Sequence, residues 1–267
     1  MSKMKAIKTF RDLLAFLTII PLGKTDDFVV TSAEAIFLFP VIGGFIGLLG
    51  AAYFLGCGFL LSHIFAFVNS IIQIPVEFLL SLALAVMTLA LLLVLTGLQH
   101  FDGLVDLGNA IGLGTLKERR AAAHVWTVTH KGAFLAIFVE FLAVAGLFFM
   151  NADFAFGAII AAEVAAKLGM VTVALLGKPT HTGLGSIVLE AAKRKRSLIA
   201  YILAVLIVYP LLGLMGVWVI LISVILSVFM ERVANSVFGG VSGDMIGATN
   251  ELVRAASFVF VAGALLL

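Results

Sequence analysis

From Leu82 to Thr96 the chain reads LALAVMTLALLLVLT, with no charge and no glycine or proline. In lipid every backbone N–H and C=O must be paired within the segment, so such a run crosses a membrane as a helix. A hydrocarbon core needs about 20 mainly apolar residues. Runs of that kind recur at about 35–68, 76–98, 133–150, 154–176, 198–230 and 252–267. They are continuous rather than alternating, which argues against a barrel of short strands. The chain is 63% apolar and 12% charged, against about 45–50% and about 25% for a soluble domain. The fold class is therefore all-α: a polytopic membrane bundle, expected as a single integral membrane domain over 1–267.

Two of the runs need comment. Residues 35–68 are long for one helix and hold Gly43, Gly44, Gly47 and Gly50; glycines four apart let helices approach closely, so this span packs tightly or bends. Residues 198–230 are too long for one relaxed span and carry Pro210, Gly213 and Gly216 in the middle, which reads as a hairpin of two short spans. The total is about seven spans. Ahead of them, Ile7, Phe10, Leu13, Leu14 and Leu17 fall at helical spacing, with Lys5, Lys8 and Asp12 off that face. That pattern is an amphipathic helix lying in the interface. Arg11 and Asp12 interrupt the apolar stretch and no cleavage site follows, so the segment reads as mature protein rather than a signal peptide.

Positive charge gathers before the first span (Lys3, Lys5, Lys8, Arg11, Lys24) and in three polar segments, 99–131, 177–197 and 231–251. Arg232 and Arg254 are read as flanking the last of these, and the turns between carry none. Lysine and arginine mark cytoplasmic loops, so the expectation is a multi-pass protein of the cytoplasmic membrane with its N-terminus and all three polar segments inside. The net charge of +2 has this origin and calls for no nucleic-acid partner. The single Cys57 excludes a disulfide framework and a cysteine zinc site.

Chemistry is concentrated in the polar segments. GLQHFDGLVDLGNA, residues 97–110, places Asp102 and Asp106 one helical turn apart on one face, with His100 beside them. Two carboxylates so placed repel unless a cation lies between. A hard divalent ion such as Mg²⁺ fits, because it is commonly held by one or two carboxylates and substrate phosphates. Gly103 leaves room for a phosphate or metal to approach the backbone. FGGVSGDMIGATNEL, residues 238–252, has glycines, among them Gly240 and Gly243, suited to an anion-binding turn. Asp244 and Glu251 are seven apart and can face one side, and Asn250 offers a neutral oxygen. No Lys-Ser/Thr pair follows those glycines, so this is not a P-loop. GKPTHTGLGS at 177–186 precedes KRKR at 193–196. There Arg194 and Arg196 either set topology and meet lipid headgroups or bind a polyphosphate. Within spans, Glu140, Glu163 and Lys167 stand out, the last two spaced to pair. Each motif alone also reads as a solvated helix end or hinge. Together, on one membrane face, they indicate Mg²⁺-dependent phosphoryl- or nucleotidyl-type transfer.

HFDGLVD at 100–106 and GGVSGDMIGATNEL at 239–252 resemble the signature segments of the cobalamin synthase family, the adenosylcobinamide-GDP ribazoletransferases. FLTIIPLG at 16–23, FPVIGGFIG at 39–47 and GKPTHTGLGS are similar as well, in order along the chain. The resemblance implies a membrane enzyme that joins adenosylcobinamide-GDP to α-ribazole or α-ribazole 5′-phosphate, releasing GMP with Mg²⁺, beside other cobalamin-pathway enzymes. It implies Asp102, Asp106, Asp244 and Glu251 as metal ligands, His100 as a proton shuttle, and Gly103, Asn109, Gly240, Gly243, Asp244, Asn250, Glu251, Arg194 and Arg196 as substrate contacts. Two departures stand out. Family members commonly carry a third acid where this chain has Asn109, and an Asp then a Gly in the segment where this chain has AAAHVWTVTHKGAF. Roles there shift, on this reading, to His124, His130 or Lys131. The rival readings are a CDP-alcohol phosphotransferase, whose later spaced aspartates are missing here, and a small-solute transporter using the intramembrane Glu140, Glu163 and Lys167.

Overall fold

The structure is a computed structural model that describes residues 3–23, 25–123, 127–150 and 152–266. Its helices in chain order are α1 (Lys3–Leu17), α2 (Phe28–Glu34), α3 (Phe39–Ile71), α4 (Val76–Leu95), α5 (Gln99–Ala110), α6 (Leu116–Ala122), α7 (His130–Phe148), α8 (Ala152–Leu176), α9 (Leu184–Ala192), α10 (Ile199–Leu212), α11 (Leu214–Phe238) and α12 (Gly243–Leu266). Seven of them, α3, α4, α7, α8, α10, α11 and α12, are long and apolar enough to cross a membrane among the described residues. They alternate in direction, so α1, α2, α5, α6 and α9 gather at one end of the bundle.

Helix α8 is the hub. Ala161, Ala162, Ala165 and Ala166 are fully buried, and such small side chains let neighbouring backbones come close, which is how spans associate in lipid. Helix α3 uses the opportunity through its glycines. A Cβ on Gly43 would sit 2.5 Å from the Glu163 carbonyl oxygen, and one on Gly47 2.6 Å from the Ile160 Cα. The long glycine-bearing run is thus one tightly packed helix rather than a bent one. The 198–230 run breaks at Gly213, whose φ of +57° is natural for glycine. The hairpin is there, but its second arm is not short, since α11 runs on through Glu231 and Arg232 to Phe238.

Three sequence expectations are corrected. The last span does not begin at 252: α12 starts at Gly243, so most of the expected polar segment 231–251 is helix. Asn250, Glu251 and Arg254 are each almost fully buried. They find partners inside the bundle, which hydropathy cannot register, and the α12 span has the lowest mean hydropathy of the seven, 1.2. Arg254 accordingly is no topology-setting loop cation. Asp12, expected on the polar face of α1, is fully buried and accepts a hydrogen bond from the Thr25 hydroxyl at 2.9 Å. Leu13, Leu14 and Leu17 pack into the protein while Ile7 and Phe10 remain exposed, so only part of the predicted apolar stripe is left for lipid.

The polar end is knitted by specific bonds. Thr115 and Glu118 form a capping box at the start of α6, satisfying two free N–H groups. Arg119 and Arg120 then donate to the carbonyls of Ser236 and Phe238 at the end of α11. The 178–180 loop pairs with Val241, which donates to the Lys178 carbonyl at 2.7 Å and accepts from the Thr180 N–H at 3.2 Å.

Candidate active site

Helix α5 is where the acids sit. It follows α4 through Gly97 and Leu98, both left-handed, with φ of +67° and +59°. Leu98 is the one non-glycine residue with positive φ among those described, a conformation costing about 1–3 kcal/mol that tends to mark functional sites. From this reversal α5 runs into the bundle between α7 and α12, and every residue from Gly103 to Ala110 is buried. Glycines make the crossings possible. A Cβ on Gly103 would collide with the Asp244 carbonyl and lie 2.9 Å from the Ala248 N, and one on Gly247 would lie 3.0 Å from the His100 Cα. Gly103 therefore serves helix packing and leaves no room for ligand approach, contrary to its sequence reading.

That crossing brings Asp102 and Asp106 of α5 to Asp244, in the first turn of α12. Asp102 is exposed and Asp106 buried. Burial first, and then the charges of Asp244 and Asp102, push the Asp106 carboxyl up to about 7. The Ser242 hydroxyl caps the start of α12, accepting weakly from the Met245 N–H at 3.4 Å and donating to Asp244 at 3.2 Å. Gly243 beside it has open space where a Cβ would be. Free N–H groups at such a helix start favour an anion.

Asp102 and Asp244 open into a cavity of about 470 Å³, and Asp106 is not on its wall. Gln99, His100, Asp102, His181, Gly243 and Asp244 give its polar lining. Phe16, Leu17, Phe39, Met170, Leu184, Val188 and Ile246 give the apolar part. Among the described residues no lysine or arginine lines it. Burial, and then the charges of Lys167 and Arg254, hold the His100 imidazole well below its usual range, so it is neutral.

Two turns further along α12, about 10 Å by the helical rise, lies a second set of charges. Arg254 donates to Glu163 of α8 at 2.5 Å and to Glu251. Lys167 donates to Asn250 at 2.7 Å and to Glu163 at 3.4 Å. Asn250 in turn donates to Glu251 at 3.0 Å. Glu140 of α7 adjoins Glu251, and His100 Nδ1 stands 3.6 Å from Glu251. This cluster ties α5, α7, α8 and α12 together. The pairing of Glu163 with Lys167 agrees with their spacing. Glu251 and Asn250, expected at the metal or substrate, are spent here instead.

Other candidates fall elsewhere. Asn109 is buried and its amide is engaged through both oxygen and nitrogen, donating to the Thr127 carbonyl at 2.8 Å and accepting from the Thr129 N–H and hydroxyl at 2.9 and 2.7 Å. It fixes the entry to α7. Gly240 packs on the Lys178 carbonyl, where a Cβ would come within 2.6 Å, and serves the loop bridge. Arg194 pairs with Glu34 at 3.0 Å on the surface, and Arg196 lies over the Phe37 ring at 5.8 Å. Neither lines the cavity. His130 and Lys131 are exposed, with Lys131 donating to the Ile111 carbonyl at 3.2 Å, and His124 lies outside the described residues. Sequence reasoning missed the apolar lining contributed by α1, α3, α8 and α9. The signal for it was the ordered resemblance of FLTIIPLG, FPVIGGFIG and GKPTHTGLGS, which meet here.

The donor set bears on the metal that the motifs suggest. Asp102, Asp106 and Asp244 are hard oxygen donors whose mutual repulsion is relieved by no lysine or arginine among the described residues of the cavity wall. That suits Mg²⁺. Among the described residues no three His, Cys, Asp or Glu groups form a ready-made chelating cluster, so phosphate oxygens of a substrate would have to complete the shell.

The family model described as cobalamin-5-phosphate synthase matches residues 9–262. A protein of Methanosarcina mazei named adenosylcobinamide-GDP ribazoletransferase is 29% identical, over 95% of this chain and 91% of its own. One of the same name from Halorubrum lacusprofundi is 30% identical, over 94% and 95%, and one from Methanosarcina barkeri 27%, over 95% and 91%. No solved structure matches. The chain belongs to the cobalamin-5-phosphate synthase family.

Proposed function

We propose that this chain is an adenosylcobinamide-GDP ribazoletransferase, joining adenosylcobinamide-GDP to α-ribazole or its 5′-phosphate with release of GMP. The observation that carries the reading is a cavity lined by acids and, among the described residues, by no lysine or arginine, in a chain of this family. A diphosphate cannot enter such a cavity unless a cation comes with it. Asp102 and Asp244 would hold Mg²⁺, which when bound neutralises phosphate charge. The family assignment leaves the phosphotransferase and transporter readings without support.

The α12 N-terminus directs free N–H groups at phosphate oxygens. A ribose hydroxyl of the acceptor attacks the phosphorus nearer cobinamide. The new P–O bond forms as the bond to the oxygen of GMP breaks. Asp106, titrating at about 7, takes the hydroxyl proton through an intervening water, since it is not on the cavity wall; a base matched to ambient pH is the efficient one. His100, neutral and on the wall, orients the acceptor by a hydrogen bond. Lysines and arginines at the polar end support a cytoplasm-facing site with the N-terminus inside and the protein in the cytoplasmic membrane.

The test is GMP release by the protein in nanodiscs. Release should require adenosylcobinamide-GDP, α-ribazole and Mg²⁺ together. Release without α-ribazole, or undiminished in EDTA, would refute the assignment.

A further inference from the structure

We infer that the apolar side of the cavity seats the aromatic base of the ribazole, with its ribose toward Asp102 and Asp244, while the corrinoid stays outside. This rests on the function proposed above. Size is the first argument. About 470 Å³ corresponds to about fifteen waters at about 30 Å³ each, the scale of a nucleoside. An adenosylated corrinoid carrying GDP has several times as many atoms, and only part of it can enter. Polarity is the second. Phe16, Leu17, Phe39, Met170, Leu184 and Val188 offer no side-chain hydrogen-bond partner. Guanine, with donors and acceptors round its edge, would be left unpaired against them, and a buried unpaired polar group costs about 1–3 kcal/mol. A benzimidazole has only ring nitrogens and apolar edges.

Shape is the third argument. The partly exposed Phe16 ring, backed by the buried Phe39 ring at 6.2 Å and 40°, is a flat surface against which a bicycle packs. Phe39 is fully buried, and Leu17, Met170 and Val188 are each 4% exposed. The wall is drawn from α1, α3, α8 and α9, so it is formed before any ligand arrives. The amide-bearing rim of a corrinoid, in contrast, is best left in water at the polar end.

The test uses full-length protein in nanodiscs, with α-ribazole as probe, its binding read by benzimidazole fluorescence, and guanosine as competitor. Wild type should bind α-ribazole without corrinoid, and equal guanosine should not displace it. Val188→Phe fills the wall. It should raise the KM for α-ribazole about tenfold or more, on the scale of a misfit in an apolar pocket, with the KM for adenosylcobinamide-GDP within about twofold. Should Val188→Phe fail to fold, Leu184→Asn on the exposed rim should raise the same KM and spare the other. Displacement by guanosine, or a change confined to the corrinoid KM in enzyme that still releases GMP, would overturn the subsite alone. Neither binding nor GMP release by folded wild type would overturn both it and the function.

Discussion

Helix α12 carries two acids, each joined by others from neighbouring helices, with opposite surroundings. Asp244, at its start, faces Asp102 and Asp106, and among the described residues no lysine or arginine lines the cavity that Asp102 and Asp244 open into. Glu251, two turns on, is buried with Glu163, Glu140, Arg254, Lys167 and Asn250. The residue types are the same and the spacing is regular, yet the environments differ. The deep acids meet cations from the fold itself, so they hold helices together. Asp102 and Asp244 instead line a cavity with no described lysine or arginine on its wall, where a counter-charge from outside would fit. Uncompensated charge next to space is the mark of the site, and compensated charge in the dark is the mark of the frame.

This contrast sets the order of mutational effects. Asp102→Asn should lower turnover by about 10²–10³ or more, the scale of removing a charge-stabilising group, with thermal stability in detergent unchanged. Loss of the fold in that variant would move Asp102 into the frame. Arg254→Met should do the reverse. It leaves Glu163 and Glu251 without their cation, and breaking one side of a buried pair costs about 3–5 kcal/mol; a normal melting profile would mean the deep cluster does not hold the bundle.

Asn109→Asp restores the acid common in the family. The Nδ2 donor to Thr127 would be lost, leaving a carboxylate oxygen against a carbonyl, so the variant should be about 1–3 kcal/mol less stable and no faster. Faster turnover would show that position 109 reaches the substrate after all. The smallest effect is at Arg194, whose pair with Glu34 is about half exposed on both sides. Arg194→Ala should change stability by about 1 kcal/mol at most and leave the KM for either substrate unaltered.

A pH prediction follows from Asp106. Its carboxyl titrates at about 7, pushed up by burial first and by Asp244 and Asp102 after. At limiting Mg²⁺ the rate should therefore rise as pH climbs through about 7. Mg²⁺ favours the ionised form, so raising it to saturation should move that limb to lower pH. The same raised carboxyl works against stability: in the metal-free protein, stability should fall as pH rises from about 4, where the unfolded group ionises, to about 7, where the folded one does. A metal-free melting curve that improves over that interval would contradict this reading of Asp106.

Much of this was legible in the chain. The spans were plain because their runs are apolar and continuous, and Asp102 and Asp106 stood out as candidates because acids after such a run are expensive to place. Asp244 stood out through its glycines, and the structure brings it to the other two. The start of α12 was not legible, because Asn250, Glu251 and Arg254 look like loop residues until α8 supplies Glu163 and Lys167 as partners. Gly103 and Asn109 were misjudged for a related reason. One contacts a backbone from more than a hundred residues away, and the other bonds to a loop whose course no local pattern gives. Periodicity shows which face a residue takes and not what waits there.

The most direct test of the contrast is a Mn²⁺ titration followed by electron paramagnetic resonance, with Mn²⁺ standing in for Mg²⁺, on nanodisc protein holding adenosylcobinamide-GDP. Wild type and Glu140→Gln should bind the ion alike, and Asp102→Asn and Asp244→Asn should lose it. Retention of tight binding by both aspartate variants, or its loss in Glu140→Gln, would place the metal away from the cavity and contradict the account.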